Sequence, residues 1–99
     1  MYTIIWEFTV PSEHHSAFIA KYRGDGEWAR LFGNSPKWKG TELVGHGDER
    51  GHFLTIDRWE SKEAWESFRA SYAAEYLALD LACAGLTTDE RQIWAGVTI

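Results

Sequence analysis

The chain has 99 residues, with ten Lys+Arg against fifteen Asp+Glu, a formal net charge of −5 and a single cysteine. That length supports one hydrophobic core, burying roughly 60–65% of the unfolded surface. The acidic balance argues against nucleic acid or an anionic membrane as the main partner, because both select basic surfaces. One cysteine excludes an internal disulfide framework and a multi-cysteine zinc site, and it suits a reducing, cytoplasmic compartment. No apolar run approaches the ~18 residues of a membrane span. Met1-Tyr2-Thr3-Ile4 leads straight into patterned sequence with no basic start, so no signal peptide is expected.

In chain order, residues 2–10 alternate as a strand, with Tyr2, Ile4, Trp6, Phe8 and Val10 on one face and Thr3, Ile5, Glu7 and Thr9 on the other. Pro11-Ser12 stops it. Ser12 is expected to cap a helix from about Glu13 to Tyr22 that places Phe18 and Tyr22 one turn apart. Gly24 suits a left-handed helix end, and Asp25 a cap for a short helix from Gly26 to Phe32 with Trp28, Leu31 and Phe32 inward. Residues 38–46 read as an edge strand with a bulge, because two glycines interrupt them. After a polar turn, His52 to Trp59 forms the second strand of a hairpin. Ser61 caps a helix whose stripe runs Trp65, Phe68, Tyr72, Tyr76, Leu79, Cys83 and Leu86, with a break expected near Ser71-Tyr72-Ala73 and an end at Gly85. Thr87 to Glu90 has capping-box spacing and predicts a short turn. Residues 91–99 form the last strand, with Ile93, Ala95, Val97 and Ile99 on one face.

The order βαββαβ, without linker or repeat, predicts one domain over residues 1–99. It is an α+β, ferredoxin-like fold with helices on one face of a four-stranded antiparallel sheet. The other face is left open. It is expected to carry Phe53 and Trp59 or, with the facing inverted, Tyr2 and Trp6, and so to be too apolar to stay wet. Pairing of two copies through that face is the direct physical answer. Aromatic residues make up 15% of the chain, six of them Trp. A surplus of rings beyond what a small core holds implies an interface or a pocket.

Asp57 is the most informative carboxylate, since a charge in mid-strand is costly unless paired. It reads either as a general base with a pKa raised by burial or as half of a structural ion pair, the commoner fate. Glu7 carries the same ambiguity. His14-His15 point about 100° apart on a helix and read as a solvated helix start rather than a metal pair. His46 and His52, with Asp48 and Glu49, could hold a metal across the turn but read first as a polar hairpin tip. The Trp65–Phe68–Tyr72–Tyr76 stripe is core packing first, although its phenols and that of Tyr22 suit an aromatic cavity. Gly24-Asp25-Gly26 follows a helix and is no phosphate loop. Cys83 lies on the buried stripe and reads as inert packing.

Three stretches together resemble the antibiotic biosynthesis monooxygenase-like proteins. They are the opening Phe8-Thr9-Val10-Pro11-Ser12, the segment from Leu54 to Ala64 (Leu-Thr-Ile-Asp-Arg-Trp-Glu-Ser-Lys-Glu-Ala), and the ending Leu86-Thr87 to Glu90 with Ile93 to Gly96. The resemblance covers nearly the whole length. It implies a homodimer whose two sheets close into a dimeric α+β barrel, with a cavity in each subunit between sheet and helices. Relatives of this kind include cofactor-independent oxygenases of aromatic polyketides, haem-degrading enzymes and isomerases, and the fold alone does not choose among them. The haem-degrading branch uses an Asn, a Trp and a His at positions that hold Trp6, Phe68 and Ala78 here. No His lies between Phe53 and Ile99, so haem ligation of that kind is not expected.

The cofactor-independent branch needs only a ring-binding cavity, a base and stabilisation of an anion. On that resemblance the expected function is a cofactor-independent monooxygenase or related small enzyme acting on an aromatic or quinone-like molecule. Asp57 and Tyr72 are the candidate catalytic residues. Trp6, Tyr22, Trp28, Phe32, Trp65 and Phe68 are the candidate substrate-binding residues, with Arg30 also in reach. No metal and no cofactor are expected. The alternative is a non-catalytic dimeric module that binds a small apolar ligand, and a purely structural protein would have no cavity.

Overall fold

Alternating apolar residues at 2–9 make a strand with one dry face, and that strand becomes a central element of the sheet. The computed structural model describes residues 1–99. In order, the elements are β1 (Tyr2–Thr9), α1 (His15–Tyr22), α2 (Glu27–Phe32), β2 (Trp38–Gly45), β3 (His52–Trp59), α3 (Lys62–Ser71), α4 (Ala73–Cys83) and β4 (Asp89–Val97). Short 3-10 turns at Ser12–His14 and Ala84–Leu86 join them. The sheet is antiparallel throughout, in the order β2-β3-β1-β4. This is the ferredoxin-like α+β arrangement expected from the element order. Each of its two helical crossovers is split in two.

The pairing register decides the faces. Tyr2 lies opposite Trp59, Ile4 opposite Asp57, Trp6 opposite Thr55 and Phe8 opposite Phe53. All eight residues therefore share one face, and it is the face under the helices: Ile4, Phe8 and Trp59 pack with Phe18, Tyr22, Trp28, Phe32 and Phe68 in the core. This corrects both expected assignments of the open face. Tyr2, Trp6, Phe53 and Trp59 are all on the covered side. The open face instead carries Ile5, Leu54, Ile56, Val44 and Trp94, flanked by the Glu7–Arg91 and Glu42–Arg58 ion pairs. It is apolar at its centre, as expected, but through different residues.

Local signals were met unevenly. Ser61 caps α3, its hydroxyl accepting from the Ala64 N–H at 3.1 Å. The helix breaks at Tyr72, as predicted; its φ of −115° and ψ of 29° separate α3 from α4. Strand β2 is an edge with a bulge, and its register shifts between Trp38 and Gly40. Ser12 and Asp25, by contrast, cap nothing: α1 and α2 start without side-chain caps, and Asp25 pairs with Arg23 at 2.7 Å. Thr87 to Glu90 opens no turn, because Asp89 is already in β4. A second bulge shifts the β1–β4 register between Ile5 and Trp6, opposite Trp94 and Gln92. That leaves Ile93 as the extra residue and removes it from the face of Ala95 and Val97. Gly85 lies inside the 3-10 turn rather than at a left-handed helix end; only Gly40 and Gly51 have positive φ.

Gly24 is likewise not left-handed. It is needed for a close approach: a Cβ there would lie 2.6 Å from the Thr41 carbonyl oxygen. The chain between α1 and α2 thus rests directly on β2. Gly24→Ala is expected to destabilise the fold by about 1–3 kcal/mol, the usual cost of overpacking. Urea denaturation of the two proteins checks this.

Candidate active site

A cavity of about 50 Å³ lies between the covered face of the sheet and α1, α2 and α4. Its ring faces come from Trp6, Tyr22, Trp28, Phe32 and Tyr76, its carboxylates from Asp57, Asp80 and Glu90, and its hydroxyls from Thr41 and Thr55. No lysine, arginine or histidine lines it. The volume suits one or two water-sized molecules, and a drug-sized ligand needs roughly 300 Å³ or more. A ring therefore enters only if the wall opens.

Asp57 projects from mid-β3 under the helices and is only 9% exposed. It has no cationic partner, so the ion pair that would have made it purely structural is absent. Its one hydrogen bond comes from the Thr41 hydroxyl, which donates to Oδ1 at 2.8 Å. Burial raises the Asp57 pKa to about 6, and the Thr41 hydrogen bond opposes part of that rise. Glu7 meets the other fate: its carboxylate accepts from Arg91 at 2.7 Å on the open face, away from the cavity.

The remaining titratable groups on the cavity are held neutral or set at its rim. Burial raises the Tyr22 phenol pKa, and the charges of Cys83 and Glu90 add to the effect. Burial also raises Tyr76, while the Arg69 guanidinium 3.9 Å above its ring opposes the rise. Glu90 is raised by burial and then by the nearby Asp80 and Asp89. The indole N–H of Trp28 has no hydrogen-bond acceptor. The cavity thus offers one buried carboxylate, neutral O–H groups and aromatic faces.

Of the residues expected from sequence, Trp6, Tyr22, Trp28, Phe32 and Asp57 are brought together on this cavity. Trp65 and Phe68 stand behind it: Trp65 packs 6.0 Å from Phe32 and 6.2 Å from Tyr76, ring centre to ring centre, and Phe68 packs 5.5 Å from Phe32. Tyr72 stacks on Phe68 at 5.0 Å and borders a separate depression with Asn34, Ser61 and Ser71. Arg30 is exposed and donates to the Asp25 carbonyl. Sequence reasoning missed Thr41, Thr55, Asp80 and Glu90 as wall residues and read Tyr76 as stripe packing first, with its phenol suited to an aromatic cavity; the structure places it on the cavity. The break at Tyr72 was the available signal for Tyr76, since a helix that restarts can aim its next ring elsewhere.

His15 and His46 have structural roles. His15 Nε2 donates to the Val10 carbonyl at 2.9 Å. His46 Nδ1 accepts from the Asp48 and Glu49 backbone N–H groups, closing the hairpin turn. No three His, Cys, Asp or Glu side chains are placed to hold a metal ion. Cys83 is buried, and burial pushes its thiol pKa upward, the opposite of what a nucleophile requires.

The Asp57 shift has a stability consequence of definite sign. Its folded pKa of about 6 lies above the ordinary 3.8, so the folded protein holds the proton more tightly than the unfolded chain. That stabilisation is complete below the ordinary value and is lost as pH rises through the folded value. Asp57→Asn, which keeps an acceptor for Thr41, is expected to stabilise the fold by roughly 1–3 kcal/mol near pH 8 and by little near pH 4. Denaturation midpoints at the two pH values check this.

Solved structures share this fold. SnoaB, a cofactor-independent oxygenase from Streptomyces nogalater, is 22% identical with a TM-score of 0.66, over 99% of this chain and 95% of that one. Rv0793 from Mycobacterium tuberculosis is 17% identical with a TM-score of 0.72, over 99% and 94%. A variant of MhuD with two manganese protoporphyrin IX bound per active site is 20% identical with a TM-score of 0.64, over 100% and 96%. At these identities the likeness is one of fold. No curated protein matches the chain. The sequence profile described as antibiotic biosynthesis monooxygenase matches residues 1–78, and on that match the chain belongs to the antibiotic biosynthesis monooxygenase family.

Proposed function

We propose that this protein, taking residues 1–99 as one domain, is a monooxygenase that needs no cofactor and acts on a planar aromatic molecule of phenol or anthrone type. The observation that carries the reading is Asp57: a buried carboxylate without a cation, on an aromatic cavity, with a pKa near 6. A general base works best when its pKa lies near the operating pH. Family membership supports the reaction class.

The chemistry balances without an outside reductant. Asp57 takes a proton from the ring system, and the electron pair stays on the substrate as a delocalised carbanion. That anion passes one electron to molecular oxygen, the radical pair joins as a peroxide anion at the same carbon, and the proton held by Asp57 returns to it to give the hydroperoxide and regenerate the base. Loss of water then leaves a carbonyl, so one oxygen atom of O₂ enters the product and the other leaves as water. The neutral phenols of Tyr22 and Tyr76 are the donors for the developing oxyanion. Trp6 and Phe32 supply stacking faces, with Trp65 and Phe68 supporting Phe32 from behind. Tyr72 borders the separate depression, so Tyr72→Phe is the control for chemistry at the cavity.

We further propose that two copies pair through the open sheet face, because Ile5, Leu54, Ile56 and Trp94 form a continuous apolar centre between two ion pairs. Native mass spectrometry of the purified protein is expected to give a dimer, and a monomer would remove this part of the reading.

Oxygen uptake over a panel of phenols and anthrones tests the activity. The rate constant kcat/KM is expected to rise with pH through about 6 and then level off, because the base must be ionised. Asp57→Asn is expected to lower it by about 100- to 10,000-fold, with ring binding retained. Binding without oxygen uptake by any member of the panel would leave a ligand-holding module in place of an enzyme.

A further inference from the structure

Three separate features of the chain converge on Thr41, a residue of an edge strand. The first is the bulge in β2. Residues three apart in a regular strand face opposite sides, yet Trp38 lies opposite Trp59 and Thr41 opposite Asp57. Three steps on β2 thus match two on β3. Gly40, with φ of 125°, supplies the backbone turn that accommodates the extra residue. Trp38 and Thr41 consequently share the helix-covered face. The second feature is their hydrogen bond: Trp38 Nε1 donates to Thr41 Oγ1 at 3.2 Å. The third is Gly24, whose missing side chain lets the α1–α2 connection rest on the Thr41 carbonyl.

The direction of this chain follows from donor chemistry. An indole N–H can only donate, and a hydroxyl has one proton. Thr41 Oγ1 therefore accepts from Trp38 and commits its proton to Asp57 Oδ1, 2.8 Å away. Oδ1 is held as an acceptor, and Oδ2 makes no hydrogen bond within the protein. The other titratable groups on the cavity are Tyr22 from α1, Tyr76 and Asp80 from α4 and Glu90 from β4, and none bonds to Asp57.

We propose that Trp38 and Thr41 are positioning residues for Asp57, holding Oδ1 as an acceptor and leaving Oδ2 as the oxygen that takes the substrate proton. The proposal rests on the reading of Asp57 as the base. In the step itself the proton moves from substrate carbon to Oδ2, and its electron pair remains on the substrate. Because the Thr41 hydrogen bond favours the ionised carboxylate, it also keeps the base from being pushed further out of range by burial.

Carbon-detected NMR titration of the Asp57 side-chain carboxyl tests this without any substrate. Thr41→Val, close in shape but without the hydroxyl, is expected to raise the midpoint by about one unit, the equivalent of one charge-assisted hydrogen bond. Thr41→Ser is expected to restore it. Trp38→Phe is expected to raise it by less, because the freed hydroxyl can turn away. An unmoved midpoint in Thr41→Val, or a serine variant that behaves like the valine one, overturns the proposal; both comparisons stand even if Trp38→Phe fails to fold. In turnover, the acid limb of kcat/KM is expected to move with the NMR midpoint. A midpoint that moves while the acid limb stays would remove Asp57 as the base, and with it the role of Oδ2, while leaving the hydrogen bond itself established.

Discussion

A carboxylate buried beneath a layer of aromatic rings is the constraint around which this protein is arranged. Asp57 faces Ile4 across the sheet, and ring systems from three helices close over it. A charge in such a place is costly unless something stabilises it. The chain supplies a single hydroxyl rather than a cation, so the charge is tolerated but not neutralised. The bulge at Lys39-Gly40, the Trp38 indole and the close approach of Gly24 are all understandable as means of keeping that hydroxyl in place. A fold selected for stability alone would more economically put an apolar residue at this position.

The distribution of rings explains where a cavity can exist. One series of contacts runs from His15 and Phe53 through Phe18 and Tyr22 to Trp28. A second joins Phe32, Trp59, Trp65 and Phe68. Tyr76 bridges them, 4.9 Å from Trp28 and 6.2 Å from Trp65. Large rigid rings leave gaps where their edges cannot interdigitate, and the gap here falls against polar residues of the covered sheet face, Thr41, Thr55 and Asp57, with Glu90 beside them. The break at Tyr72 falls just before Tyr76 and Asp80, the two residues that α4 contributes to the cavity.

Fold and chemistry part company within this architecture. Structures with 17–22% identity share the whole fold, because sheet order, crossover handedness and a single apolar face can be met by many sequences. Reactive groups are not so interchangeable. Of Trp6, Phe68 and Ala78, the positions that the resemblance sets against the haem-degrading branch, only Trp6 reaches the cavity. The acid-and-aromatic character of the cavity comes from this chain's Asp57, Asp80 and Glu90 set among Trp6, Tyr22, Trp28, Phe32 and Tyr76.

Much of the fold was legible because it depends on near neighbours. The alternation in β1 and β3, the Ser61 cap, the break at Tyr72 and the bulged edge strand β2 each follow from residues within one or two turns of one another. Asp57 was legible as anomalous for the same reason: a charge in mid-strand violates a local rule. The absent caps at Ser12 and Asp25 show the limit of such rules, since tertiary packing and a 3-10 turn replaced the local hydrogen bonds. Strand periodicity establishes which residues share a face but not which face is covered, so the open side was assigned to the wrong residues until the register placed Tyr2, Trp6, Phe53 and Trp59 together. The partners of Asp57 depended on the same pairing: Thr41 lies 16 positions away in sequence and reaches it only because a bulge turns it inward. Short-range pattern determined the elements and marked the unusual residue; the tertiary structure chose its surroundings, because sheet register and helix direction are set by contacts between segments that no local pattern links.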